Sequence, residues 1–92
     1  MRFEWDDGKC SVNVRKHGID FADVQQVFSS PMLVDLDDRE DYGEDRWVGI
    51  GWLRDTLTVV VWTKPREDSI RIISARKANR HECRLYEENL RY

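Results

Sequence analysis

The chain of 92 residues contains only two cysteines, two prolines and two histidines, and each scarcity removes a class of protein. Cys10 and Cys83 are too few for a disulfide framework. No CxxC or HxxxH spacing joins them, or His17 and His81, into a zinc site. The two thiols read as reduced residues of a cytoplasmic protein. Long apolar runs are absent as well. The strongest, LTVVVW at 57–62, falls far short of the ~20 residues that cross a bilayer. The N-terminal MRFEWDDGKC lacks the apolar stretch of a signal peptide. The five glycines follow no phosphate-loop pattern, and no serine has an evident paired base. These absences leave no expected metal, cofactor or membrane partner, and a single domain spanning residues 1–92.

Charge, by contrast, is abundant. Lys, Arg, Asp and Glu make up 36% of the chain, with a net charge of −3. Residues 1–46 carry twelve acids against six bases, net −6, and residues 47–92 carry six acids against nine bases, net +3. The global balance argues against nucleic acid, but the split allows a basic patch on an acidic protein.

The pattern along the chain alternates short strands and helices. Residues 3–5 are a strand candidate, and Asp6 is placed to cap a helix. Cys10, Asn13, Val14 and His17 then share one helical face, and Gly18 can end the helix in a left-handed conformation. Asp20 can cap a second helix whose apolar face is Phe21, Val24, Val27 and Phe28, stopped at Ser30-Pro31. A strand at 32–37 and an acidic loop at 37–45 follow. Strands 46–53 and 56–63 form a hairpin around Arg54-Asp55, a link without the favoured turn glycine. At face value it pairs Leu53 with Thr56, Ile50 with Val59 and Trp47 with Trp62.

One hairpin face is then Val48, Ile50, Trp52, Leu57, Val59 and Val61, which reads as core. The other is Trp47, Gly49, Gly51, Thr58, Val60 and Trp62. Its glycines suggest close approach of another group, and helices on the first face would leave it partly open. A strand at 70–76 matches best with Ile72 beside Val61. That register puts Arg71 next to Trp62 on the glycine face and gives Arg76 core parity at the strand end. Asn79 and Glu82 form a capping box that starts a last helix at Arg80, with Cys83, Tyr86 and Leu90 on its docking side. The order is β-α-α-β-β-β-β-α. This is an α+β domain: an antiparallel sheet of about four main strands, two N-terminal helices and one C-terminal helix.

The stretch SIRIISARKANRHE ends a buried strand in a knot of cations. Arg46, Lys64, Arg66, Arg71, Arg76, Lys77 and Arg80 can converge around one sheet edge. Guanidinium groups offer paired donors to phosphate and stay charged. Beside exposed tryptophans they suit single-stranded RNA. Such a cluster can also catalyse, because RNA carries its own nucleophile, the 2′-hydroxyl. An enzyme need only orient it and stabilise the charge that develops on the phosphate.

FEWDDGK, NVRKHGIDF, VFSSP and IRIISARKANRHE…Y together resemble the BrnT family, with the most specific matches at Lys16-His17-Gly18 and Ile70–Ala78. The resemblance implies a RelE-like fold and a ribonuclease toxin of a bacterial type II toxin–antitoxin pair that cleaves RNA without a metal and arrests growth. It also implies a BrnA-like, DNA-binding antitoxin, in a 2:2 heterotetramer, that neutralises the toxin. TKPRED departs from the family pattern at Pro65.

Each candidate residue has two readings. Arg71 either clamps a phosphate or stacks on Trp62. Arg76 either reaches substrate or pairs with an acid of the first half. His17 is a general base or serves its helix end. Tyr86 is a core tyrosine with its hydroxyl at the rim, and by resemblance a catalytic candidate. The expected catalytic set is Arg71, Arg76, Arg66, His17 and Tyr86. Lys64, Lys77, Arg80 and Arg46 are the expected RNA contacts. The antitoxin is expected on the glycine-and-tryptophan face or the basic edge. The alternative is a module that binds RNA or protein without cleaving it.

Overall fold

Three side-chain caps set where the helices begin, and a computed structural model that describes residues 1–90 shows each in place. The Asp6 carboxylate accepts from the Lys9 amide at 2.8 Å and opens α1 (Asp7–His17), which Gly18 closes at φ 70°. Asp20 accepts from the Ala22 amide at 3.0 Å and opens the single turn α2 (Phe21–Val24). A 3-10 segment, Gln25–Ser29, continues it. So short a helix is not stable by itself. Phe21, Val24 and Val27 are all fully buried, and each contributes about 1.5–3 kcal/mol by leaving water. Asn79 and Glu82 form both halves of the capping box, each at 2.8 Å, at the start of α3 (Arg80–Asn89).

The strands are β1 (Arg2–Trp5), β2 (Leu33–Leu36), β3 (Trp47–Leu53), β4 (Thr56–Thr63) and β5 (Ser69–Lys77). They form one five-stranded sheet in the order β1-β5-β4-β3-β2. The α+β class and the element order agree with the sequence reading, with one addition. β1 joins the sheet as a fifth strand, parallel to β5, with Glu4 opposite Arg71 and Trp5 opposite Ile72. The hairpin register is the expected one: Leu53 lies opposite Thr56 and Trp47 opposite Trp62. Its turn puts Arg54 at φ 55°, and the guanidinium reaches Asp23 at 3.3 Å.

The two faces of the sheet are exchanged relative to expectation. α1, α2 and the 3-10 segment cover the glycine face, which carries the main core: Val60, Trp62, Leu53, Ile70, Ile72 and Ala75 pack with Phe21, Val24 and Val27. The glycines are where the chain itself comes close. A Cβ on Gly49 would lie 2.7 Å from Met32 Cε and 2.8 Å from the Trp62 ring, and one on Gly51 would lie 2.8 Å from Val27 Cγ1. That face is therefore not available to an antitoxin. Among the described residues, α3 packs on the opposite face, in a smaller cluster of Ile50, Leu57, Val59, Ala78 and Tyr86. Trp52, expected in the core, is 39% exposed and meets Tyr86 edge-on at 6.2 Å between ring centroids.

A bulge in β5 accounts for the other difference. Trp62 pairs with Ile72 and Val61 with Ser74, so Ile73 is the extra residue. Beyond it Ser74 and Arg76 keep the expected face. Before it every residue changes sides. Ile70 and Ile72 turn into the helix-covered core, and Arg71, opposite Thr63 rather than beside Trp62, turns to the face of α3. Cys10 packs against the main core and Cys83 against the α3 cluster. The thiols thus sit on opposite sides of the sheet, and both are free.

Candidate functional site

Because α3 covers one end of its face, the other end of the sheet is left as the floor of a groove. Val48, Val61 and Ser74 line this groove of about 470 Å³, with Arg76 and Glu82 on one wall and the Leu36–Arg39 segment on the other. Arg76 is held as a fork: Nη1 donates to Glu82 Oε1 at 2.8 Å and Nη2 to Oε2 at 2.7 Å. Glu82 is the capping-box carboxylate, so the local order that starts α3 also aims the arginine. Arg76 therefore pairs with an acid of its own half of the chain rather than one of the first half. Its side chain remains 42% exposed. The hydrogen bonds from Arg76 hold the Glu82 carboxyl below its ordinary value against the opposing effect of burial. The same bonds raise the arginine's affinity for its proton.

The facing wall repeats the device. Arg39 donates to both Asp37 oxygens, at 2.7 and 2.9 Å, and Asp37 is buried. Arg39's hydrogen bonds lower the Asp37 carboxyl. The positive charge of Arg39 is close enough to act against that of Arg76. Two guanidinium groups therefore share one groove. Sequence reasoning missed Arg39, because DDREDYGED reads as a solvated acidic loop. The available signal was the lone arginine two residues after Asp37, within reach of its carboxylate.

A second cation group stands further along the same face. Glu4 bridges Arg66, whose Nη2 meets Oε1, and Arg71, whose Nη2 meets Oε2 at 3.1 Å. Arg66 Nε also donates to Ser69 Oγ at 3.2 Å. The Glu4 carboxyl is lowered, chiefly by the bond from Arg71. Arg71 and Arg76 lie opposite Thr63 and Val59 of β4, four residues or ~13 Å apart at strand rise. They do not meet at a single point.

The remaining candidates are dispersed. His17 is exposed at the end of α1 and lines the gap between α1 and β5 with Lys9, Lys16 and Ile73, across β5 from Arg76. Lys77 lines a neighbouring cleft with His17 and Arg54. Tyr86 is buried, and its hydroxyl donates to the Pro31 carbonyl at 2.9 Å. The Arg46 guanidinium lies 4.0 Å from the Tyr42 ring centroid. Lys64 and Arg80 are exposed. Among the described residues no three His, Cys, Asp or Glu side chains are placed to hold a metal ion. No helix among them is long and apolar enough to cross a membrane.

These ion pairs carry a pH dependence. Glu4, Asp37 and Glu82 all have folded values below their ordinary ones. Their contribution to stability is therefore complete above the ordinary values, 4.5 for Glu and 3.8 for Asp, and is lost as pH falls through the lower folded ones. The melting temperature should begin to drop below about pH 4.5. Glu82→Gln should make that acid limb shallower. Thermal unfolding at a series of pH values checks both, and an unchanged limb would mean that the Arg76–Glu82 pair contributes little.

The α+β domain has known counterparts. The family model for "Ribonuclease toxin, BrnT, of type II toxin-antitoxin system" matches residues 5–82. The structure superimposes on the 1.1 Å crystal structure of the Brucella abortus ribonuclease toxin, BrnT, with a TM-score of 0.68 and 28% sequence identity, covering 86% of this chain and 97% of that one. No curated protein matches the chain. With the family model spanning Trp5 to Glu82, from the first strand through the capping box, the chain belongs to the BrnT family of ribonuclease toxins of type II toxin–antitoxin systems.

Proposed function

We propose that the protein is an endoribonuclease in which a ribose 2′-hydroxyl attacks the adjacent phosphate, with no metal ion taking part. The 2′-oxygen forms a bond to phosphorus, the bond to the 5′-oxygen breaks, and the proton lost by the 2′-hydroxyl ends on that 5′-oxygen. The products are a 2′,3′-cyclic phosphate and a 5′-hydroxyl. The observation that carries this reading is the exposed Arg76 fork, held at an open groove opposite Arg39. A phosphate entering the groove can replace Glu82 as the acceptor of both Nη donors, and the fork then neutralises charge as it builds on the equatorial oxygens. Arg66 and Arg71, ~13 Å away along the face, serve a neighbouring stretch of the RNA backbone. Their pairs with Glu4 are exposed, and such pairs are worth little in water, so phosphate can displace them. This reading assigns no proton transfer to His17, which lies across β5 from Arg76, or to Tyr86, whose hydroxyl donates to the Pro31 carbonyl.

The family's type II description implies an antitoxin partner. We take it to be DNA-binding, to occlude the groove and to assemble with the toxin as a 2:2 heterotetramer in the cytoplasm. A binding module without catalysis is the second reading. It is favoured by the fact that Arg66, Arg71 and Arg76 each already have a carboxylate partner. Incubating purified protein with RNA in excess EDTA separates the two. Fragments ending in a 2′,3′-cyclic phosphate are the expected result. RNA that is bound but intact in EDTA, and cleaved only after magnesium is returned, would sink the metal-free step. RNA bound and intact under both conditions would leave only the binding module.

A further inference from the structure

β2 closes the sheet on the side away from β1, and its outer edge pairs with no strand among the described residues. The Asp37 amide donates inward to the Arg46 carbonyl at 2.7 Å. Antiparallel alternation then turns the backbone groups of Asp35 toward β3 and those of Val34 and Leu36 outward. The outward Leu36 amide is occupied by the carboxylate of its own neighbour, Asp35, at 2.9 Å. A side chain stands where a strand would pair. Val34 and Leu36 are 46% and 42% exposed. The strand reads LVDL; its short length and Asp35 are its only edge protections, and it carries no lysine, proline or bulge. At the opposite side, where β1 stops at Trp5, the Asn13 side chain pairs with Ala75 and seals β5.

We propose that the outer edge of β2 is the docking strand for an extended, basic segment of the antitoxin, which adds to the sheet beside Val34 and Leu36. This rests on the reading of the chain as the toxin of a pair. Charge selects the occupant. Asp35 and the loop 37–45, with six acids and one arginine, attract a cationic segment. A second copy of the chain would bring the same acids. Pairing of two β2 edges centred on Asp35 sets two carboxylates directly opposite. Backbone hydrogen bonds to the outward groups give such a segment its affinity. Leu36, Asp37 and Asp38 also line the groove that holds Arg76, so a strand added at this edge runs past its mouth and competes with RNA.

The test titrates the full chain with the polypeptide encoded by the adjacent reading frame and measures RNA cleavage in parallel. Val34→Pro removes one outward amide and leaves the ladder to β3 intact. It should weaken binding by roughly 30-fold. Glu40→Lys with Asp41→Lys should weaken it by about 10-fold at low salt, with the difference fading at high salt. Val34 lies outside the Arg76 groove, so Val34→Pro should cleave RNA as the wild type does; the lysine pair, beside Arg39 on the groove wall, is read for antitoxin binding alone. If cleavage is absent in both the wild type and Val34→Pro, the enzymatic reading fails while the docking result still stands. Should circular dichroism show Val34→Pro unfolded, the charge pair decides. Binding within about twofold of wild type for the folded variants, or no binding by the wild type, overturns the proposal. So does a free chain that sizes as a dimer and becomes monomeric on Val34→Pro, which would make the edge a self-association surface.

Discussion

Arg76→Ala is expected to slow RNA cleavage by about 10²–10³-fold, mainly in kcat, with RNA binding weakened far less. Loss of one preorganised donor pair at a developing anion has this size because nothing else in the groove supplies the same planar fork. Arg39, across the groove, stays engaged by buried Asp37 through two hydrogen bonds. Arg76→Lys keeps the charge but not the fork, and should recover only part of the rate. The fold should survive, since Glu82 keeps its hydrogen bond with the Asn79 amide at 2.8 Å. Circular dichroism and a melting curve for the variant exclude a trivial loss. Single-turnover rates within about threefold of wild type would remove Arg76 from the chemistry and shift attention to the Glu4-linked pair, Arg66 and Arg71.

Asn13→Ala should produce the largest loss of stability from a single side chain, about 3 kcal/mol. Asn13 is 5% exposed. Its Nδ2 donates to the carbonyls of Ile19 and Ala75, both at 2.9 Å, and its Oδ1 accepts from the Ala75 amide at 3.1 Å. The amide thus imitates a neighbouring strand over one residue of β5, beyond the point where β1 ends. Alanine leaves three backbone groups without partners in a site that excludes water. For a domain of this size a loss of 3 kcal/mol lowers the melting temperature by roughly 12–24 °C. Asn13→Asp keeps the acceptor but sets a carboxylate against two carbonyls, and should be no better. A drop of less than about 4 °C in Asn13→Ala would mean that water takes over the edge.

Local signals in the sequence were legible where short-range chemistry decides. Asp6, Gly18, Asp20 and the Asn79–Glu82 box each act within four residues, and all four end or start helices as read. The hairpin register followed from its two-residue turn, although Arg54 has to adopt a positive φ to make it. What failed was the choice of side. Both faces of β3 and β4 are apolar enough to be core, so a period of two does not say which one receives the helices. Gly49 and Gly51 signalled close approach correctly, but the approaching groups are Met32, Val27 and Trp62 of the same chain. The bulge at Ile73 is written only as two adjacent isoleucines, and it alone reverses Arg71. The partners of the cations were beyond reach for another reason. Glu4 meets Arg66 and Arg71 across 62 and 67 residues, and only the parallel pairing of β1 with β5 brings them together. Arg76 was placed on the correct face, yet its groove depends on how far α3 extends over the sheet.

Glu82 accepts from Arg76 with both oxygens and from the Asn79 amide with one. When a phosphate draws the arginine away, the helix start stays anchored and the carboxylate is left vacant nearby. On the proposed mechanism, Glu82 would then be a resident surrogate for the substrate: an anion that parks the guanidinium in working orientation between turnovers and takes it back as the product departs.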